Sequence, residues 1–303
     1  MSWLSVAILA YLIFAVVSLI DKYLLAGPIP DPKVYTFYIG ALGVLVLFLA
    51  PFVGFSVPQP SQIILSLLAG AIFIYGLFWL YKALRDFEIS RVVPAIGGIL
   101  PLFTLGLVYI FSAGKETLGY FEFFAFILLI LGSILITHER SKKISFKSLQ
   151  ISAIAAFFLA LSFVLTKYVY LVQPFWSGFI WIRIGGFLMA IFFFLLFKEI
   201  REEIFKKKVS FKKRTIGVFL SNQAMGAGAS ILQNWAIFLA PLAYVSIINA
   251  LQGINYAFLL VFIIFLSLKF PQILKEEISK KILFQKIIAI LLIVAGLAFL
   301  AFK

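Results

Sequence analysis

Lys167 and Arg183 sit inside long apolar stretches, about eighteen and eight residues from where each begins. A charge at membrane depth costs about 2.5–3.5 kcal/mol on insertion scales, so each needs a physical reason. A long basic side chain can snorkel to the headgroups from two turns deep. The same groups can instead form a cationic wall that faces a cavity and holds a carboxylate or phosphate. Arg suits that task because its planar fork grips two oxygens at once.

Uncharged polar groups concentrate in TIGVFLSNQAMGAGASILQNWAIFLA, residues 215–240. Asn222, Gly226, Ala229 and Gln233 share one helical face, and Gln223, Ala227, Ser230 and Asn234 form the adjacent stripe. Such amides either bond across a helix interface, at about 0.6 kcal/mol each, or line a cavity that takes a polar substrate. Asn249 and Gln252, three residues apart with Tyr256 on the same face, extend this candidate wall, and Tyr75 and Trp79 are the aromatic candidates. Pro94, Gly97, Gly98 and Pro101 fall within eight residues. Each Pro deletes a backbone hydrogen bond, so a kinked or partly broken helix is expected there, suited to a binding site or a gate.

No Asp or Glu falls at mid-membrane, which disfavours proton-driven efflux of lipophilic cations. Asp21, at the end of the first apolar stretch, is the one candidate coupling acid, with a structural pairing to Lys22 as the simpler role. There is no Cys, and His138 is the single His. Thiolate metal sites, Cys nucleophiles and a Ser–His triad are therefore disfavoured, and neither a metal nor a cofactor is expected. Enzyme chemistry on lipid-linked substrates needs acidic metal clusters or a nucleophile with its base, and neither occurs at membrane depth. The reading is not an enzyme.

The elements that position these residues follow from composition. Hydrophobic residues make up 64% of the 303 and charged residues 13%, and mean hydropathy is +1.13. A soluble globule could not hide that much apolar surface. We expect an all-α membrane protein with ten transmembrane helices, at roughly 3–25, 34–54, 61–82, 89–112, 117–137, 149–171, 175–197, 215–238, 242–268 and 282–302. GPIPDPK (27–33), SVPQP (56–60), SAGKE (112–116), VQP (172–174) and APL (240–242) supply the turns. The first stretch lacks a basic leader and a small-x-small cleavage site, and reads as an uncleaved helix.

Of the 26 Lys and Arg, 22 flank the loops after the odd-numbered spans. The positive-inside rule puts those loops in the cytoplasm and both termini outside, in the plasma (inner) membrane. The net charge of +14 then needs no nucleic-acid partner. The basic stretches 198–214 and 269–281 read as amphipathic segments in contact with anionic lipid.

The halves repeat. SLIDKYLLA (18–26) aligns with FVLTKYVYL (163–171) at an offset of 145, which also sets Gly40 on Gly185. ALRDFEISRVVPAIGG (83–98) aligns with AIFLAPLAYVSIINAL (236–251) at an offset of 153. Five spans per half is odd, so the halves, 1–147 and 148–303, must be inverted five-helix repeats. That architecture is a signature of secondary transporters.

The stretch 79–136 resembles the repeat unit of EamA-type transporters in the drug/metabolite transporter (DMT) superfamily. Ala83-Leu84, Pro101, Glu116 and Gly132 match its helix-ending pair, mid-helix Pro, turn and late Gly. The turn reads Gly-Lys-Glu where the family has Gly-Glu. The second half is degenerate: Gln252-Gly253-Ile254-Asn255 stands where the Pro would be, and Glu276 or Glu277 follows an added segment. The resemblance implies a carrier working by alternating access on a small polar metabolite, an amino acid or related solute, usually exported. An organic-anion or phosphorylated-metabolite exchanger is the second expectation, favoured if Lys167 and Arg183 face the cavity.

Overall fold

The structure, a computed structural model, describes residues 2–26, 31–87, 89–137, 146–205, 213–258, 262 and 280–301. Every regular element among them is helical. In order these are α1 (Ser2–Ala26), α2 (Pro32–Leu42), α3 (Pro60–Asp86), α4 (Ile89–Phe111), α5 (Tyr120–Thr137), α6 (Phe146–Val172), α7 (Phe175–Leu196), α8 (Lys198–Phe205), α9 (Lys213–Leu239), α10 (Val245–Ala250) and α11 (Lys280–Ala301). Among the described residues six helices are long and apolar enough to cross a membrane: Ser2–Leu25, Pro32–Phe52, Pro60–Asp86, Phe146–Val172, Phe175–Leu196 and Phe284–Ala301. Ala95–Phe111 and Tyr120–Leu135 are shorter apolar helices. The chain is thus an all-α, multi-pass membrane protein. Gly27–Pro30, His138, Glu276, Glu277, Lys303 and residues 206–212 and 269–279 of the two basic stretches lie outside the described residues, as does the side chain of Lys22.

The turn residues explain the helix starts. Asp31 caps α2 by accepting from the Lys33 N–H at 2.8 Å, and Pro32 opens the first turn. Pro60 does the same for α3. After α4 the chain reverses through Ala113 (φ 51°) and Gly114 (φ 77°), and the Gly114 N–H bonds Tyr109 O at 2.9 Å.

Two helices depart from expectation. The second stretch is α-helical only to Leu42 and continues as a tighter 3-10 helix over Gly43–Phe52, which contains Pro51. α4 runs unbroken through Pro94 and Pro101. Its glycines serve close packing: a Cβ on Gly97 would lie 3.2 Å from the Tyr256 ring, and one on Gly98 2.8 Å from Ile134 Cδ1. The break falls instead in the segment after α9. A 3-10 turn, Leu242–Tyr244, leads into α10, a turn follows at Leu251, and 252–258 resume as helix.

The helices pack in a recurring scheme. α1 lies on α9 and α3 on α6, α2 packs on α7, α4 on α10, and α5 on α11. α3 and α7 cross almost backbone to backbone. A Cβ on Gly70 would stand 1.8 Å from Ile182 O, and one on Gly185 2.2 Å from Leu67 O. Only glycine permits that approach.

A polar cavity around Arg183 and a carboxyl cluster at Asp21

Arg183 projects from α7 beside this crossing into a narrow cavity of about 30 Å³, room for a water or two. α2 contributes Ile39 and Gly40; α3 contributes Gly70, Phe73 and Ile74; α6 contributes Ser162, Phe163 and Thr166; and α9 contributes Ser230, Gln233 and Asn234. Elements from both halves therefore wall one cavity. The guanidinium donates to Ser230 Oγ, and its Cζ lies 4.8 Å from the centroid of the Phe179 ring one turn back. A hydrogen bond to a charged group contributes about 1.5–3 kcal/mol and a desolvated cation–π contact about 2 kcal/mol. Together these offset the insertion cost without a carboxylate. Among the described residues no Asp or Glu pairs with Arg183.

The amides of α9 are held in place. Asn234 accepts from Tyr170 O–H at 2.9 Å and donates to Ser230 O at 2.8 Å. Gln233 donates to Tyr11 Oη at 3.3 Å, and Tyr11 donates to Ile248 O at 2.7 Å. This chain ties α9 to α1 and to α10.

Lys167 does not line the cavity. Its Nζ donates to Phe238 O at 3.0 Å while the side chain is buried. That carbonyl belongs to the last turn of α9, where helix C-termini favour a cation. The residue acts as a cap rather than a wall. Tyr75 and Trp79 also lie elsewhere. Tyr75 packs edge-on against Phe158 at 4.7 Å, and Lys82 Nζ sits 4.6 Å over the Trp79 ring. Asn249 donates to Thr104 Oγ1 at 2.9 Å, joining α10 to α4, and Gln252 bonds Tyr256 one turn on. Of the sequence candidates, the cavity gathers Arg183 and Gln233. It adds Ser230 and Asn234 from the neighbouring stripe, and Ser162 and Thr166, which carried no signal in the sequence beyond their polarity.

Asp21 and Asn222 meet in a second cluster. Asn222 Nδ2 donates to Asp21 Oδ1 at 2.6 Å, and the Tyr35 hydroxyl donates to the same oxygen. Tyr81 packs edge-on against Tyr35 at 5.1 Å. Asn222 is fully buried, and its Oδ1 has no hydrogen-bond partner among the described residues. Tyr35 and Tyr81 were not distinguishable in advance, because aromatics make up 17% of the chain. At the adjoining surface Lys33 Nζ and Glu199 Oε1 pair at 2.5 Å, which holds the Glu199 carboxyl below the usual carboxylate range.

No protein-family model matches the chain, and no curated protein does. Solved structures share its fold. One, described only as the crystal structure of a protein, superposes with a TM-score of 0.70 over 99% of this chain and 98% of its own, at 14% identity. At that identity the likeness concerns the fold alone.

Proposed function

We propose that the protein is a secondary transporter, EamA-like within the drug/metabolite superfamily, that moves a small polar metabolite by alternating access. In this reading ten transmembrane helices form two inverted repeats, 1–147 and 148–303, with both termini outside the inner membrane. Helix boundaries support the repeat. α3 and α9 are both 27 residues long and begin 153 residues apart, the offset of the aligned sequences. The packing pairs α1·α9 and α6·α3 are each other's counterparts under that alignment. An amino acid or related solute, exported, is the favoured substrate class, with membrane lipids as a further partner, no nucleic acid and no cofactor.

The observation that carries the reading is Arg183. A cation at membrane depth, satisfied by a hydroxyl and a ring and without a carboxylate among the described residues, stands ready for an anionic group on a substrate. The same observation favours a second reading, exchange of organic anions or phosphorylated metabolites. Counterflow in proteoliposomes over a panel of amino acids, carboxylates and sugar phosphates separates the two. Arg183→Gln is expected to abolish counterflow of every substrate that bears an anionic group, in protein that still elutes as a single folded species. Undiminished counterflow in that variant would sink the assignment.

A further inference from the structure

We propose that Asp21 and Asn222 form a proton-binding pair, a carboxylic acid closed on an amide, and that this proton is the coupling ion of the carrier. The coupling half of the statement rests on the transport reading; the proton site itself does not.

The argument starts from hydrogen-bond inventory. A carboxylate is acceptor-only, whereas a primary amide offers two donors and an acceptor. Asp21 Oδ1 already takes two donors, Tyr35 O–H and Asn222 Nδ2–H. Asn222 Oδ1 takes none among the described residues, although the residue has no exposed surface. An ionised Asp21 has no hydrogen to offer it. A proton on the second carboxyl oxygen supplies the missing donor. Acid and amide are complementary at two points, N–H to C=O and O–H to C=O, and the pair then closes a ring in which both bonds are made. The balance is simple: the carboxylate takes up one proton and becomes neutral, and nothing else changes.

The described neighbours are otherwise engaged; the Lys22 side chain lies outside the described residues. From α2 and α3 the titratable groups at the cluster are Tyr35 and Tyr81. Lys33 of α2 is engaged with Glu199 of α8, Lys82 of α3 lies over Trp79, and Arg85 pairs with Asp86. On α8, Lys198 pairs with Glu202, Arg201 donates to Leu195 O, and Glu203 acts on Tyr38 of α2. These basic side chains of α2, α3 and α8 thus have partners other than Asp21.

Position links the pair to the cavity. Asn222 and Ser230 are eight residues apart on α9, roughly 12 Å along the axis. Gly226 lies between them against Val17 of α1. Gaining or losing the proton makes or breaks the second of the two α1–α9 bonds, two turns from the group that holds Arg183. A single helix therefore senses both ligands.

The test uses the purified full-length protein. Infrared difference spectra between acid and alkaline pH should show the C=O band of a protonated carboxylic acid in the wild type, and Asp21→Asn should remove it. Absence of the band, or its persistence in that variant, overturns the proposal. In proteoliposomes Asp21→Asn is expected to keep counterflow, which needs no net coupling, and to lose uptake driven by a pH gradient. The reciprocal double variant, Asp21→Asn with Asn222→Asp, restores an acid–amide pair and should recover part of the gradient-driven uptake. Gradient-driven uptake retained by Asp21→Asn, or replaced by a sodium requirement in the wild type, refutes proton coupling. A wild type that shows the acid band but no substrate movement of any kind would refute the transport reading and leave the proton site standing.

Discussion

Replacing Gly70 by Ala adds one methyl group at the crossing of α3 and α7. The new Cβ would lie 1.8 Å from Ile182 O and 2.8 Å from Gly186 N. Both are backbone atoms, so no rotamer change relieves the contact. The helices must separate by about 1.6 Å to reach an ordinary 3.4 Å approach. Overpacking of this kind costs about 1–3 kcal/mol. Separation also pulls on Gln173 Nε2, which donates to Gln62 O at 3.0 Å and Ser66 Oγ at 2.9 Å. Losing these adds about 1 kcal/mol each. Alanine returns about 0.5–1 kcal/mol through lower backbone entropy in the unfolded chain. The net destabilisation is about 2–4 kcal/mol, or on the order of 3–6 °C in Tm for a chain of this size.

Gly228→Ala is the matched control. It sits in α9 with nothing within 4 Å of an added Cβ, so only the entropic gain applies and Tm should hold or rise slightly. Thermal unfolding of both variants in one detergent decides the matter. If Gly70→Ala melts with Gly228→Ala, at or above wild type, the close crossing is wrong and the shape of the Arg183 cavity with it.

Three further outcomes are expected. Lys167→Met should lower stability by about 2 kcal/mol, the value of a charge-assisted bond to a carbonyl, with the substrate KM unchanged; a KM shift at constant stability would return Lys167 to the site. Arg183→Lys keeps the charge and loses the fork, so KM for an anionic substrate should rise on the order of tenfold, about 1.4 kcal/mol. Because Lys33 holds Glu199 below the usual carboxylate range, its small stabilising contribution is present above that range and disappears as pH falls through the lowered value; the Tm difference between wild type and Glu199→Gln should shrink to nothing at acid pH and never grow there.

Much of the architecture was legible because hydropathy reports burial in lipid directly. Turns at Pro32, Pro60, Pro174 and Pro241 fell where their chemistry indicated. Helix breaks were not legible at α4. Two prolines suggested a break there, but the helix continues, while 245–258 turns at Leu251 with no proline. Packing decided both: Gly253 lets that segment approach Ser133 of α5, whose Oγ would be 2.2 Å from an added Cβ. For the site, spacing brought out the stripes of α9, since i, i+4 geometry is intrinsic to a helix. It could not say which helix would face which stripe. Lys167 and Arg183 looked equivalent for that reason, yet one meets a helix end and the other a cavity.

The proposed coupling also bears on why only one of two related helix pairs carries a carboxyl. At offsets of 145 and 153, Asp21 corresponds to Thr166 and Asn222 to Ala69. Under the proposed repeat, α1·α9 and α6·α3 are counterparts, and both pairs are in contact. In α6·α3 the contact is sealed by neutral bonds. Ser162 donates to Ala69 O at 2.9 Å, and Thr166 lines the cavity. Neither Ser162 nor Thr166 carries a charge. In α1·α9 the equivalent positions hold an acid and an amide, and in the proposed pair their second hydrogen bond requires a proton. Two halves that move as near-equals would then differ in one respect: opening one contact requires a proton to leave, and opening the other does not. A carrier whose gates were chemically identical could equilibrate its substrate but could not use a proton gradient to drive it. Asp21→Asn makes the two contacts alike in charge, and on this argument should leave a carrier that exchanges its substrate but cannot concentrate it.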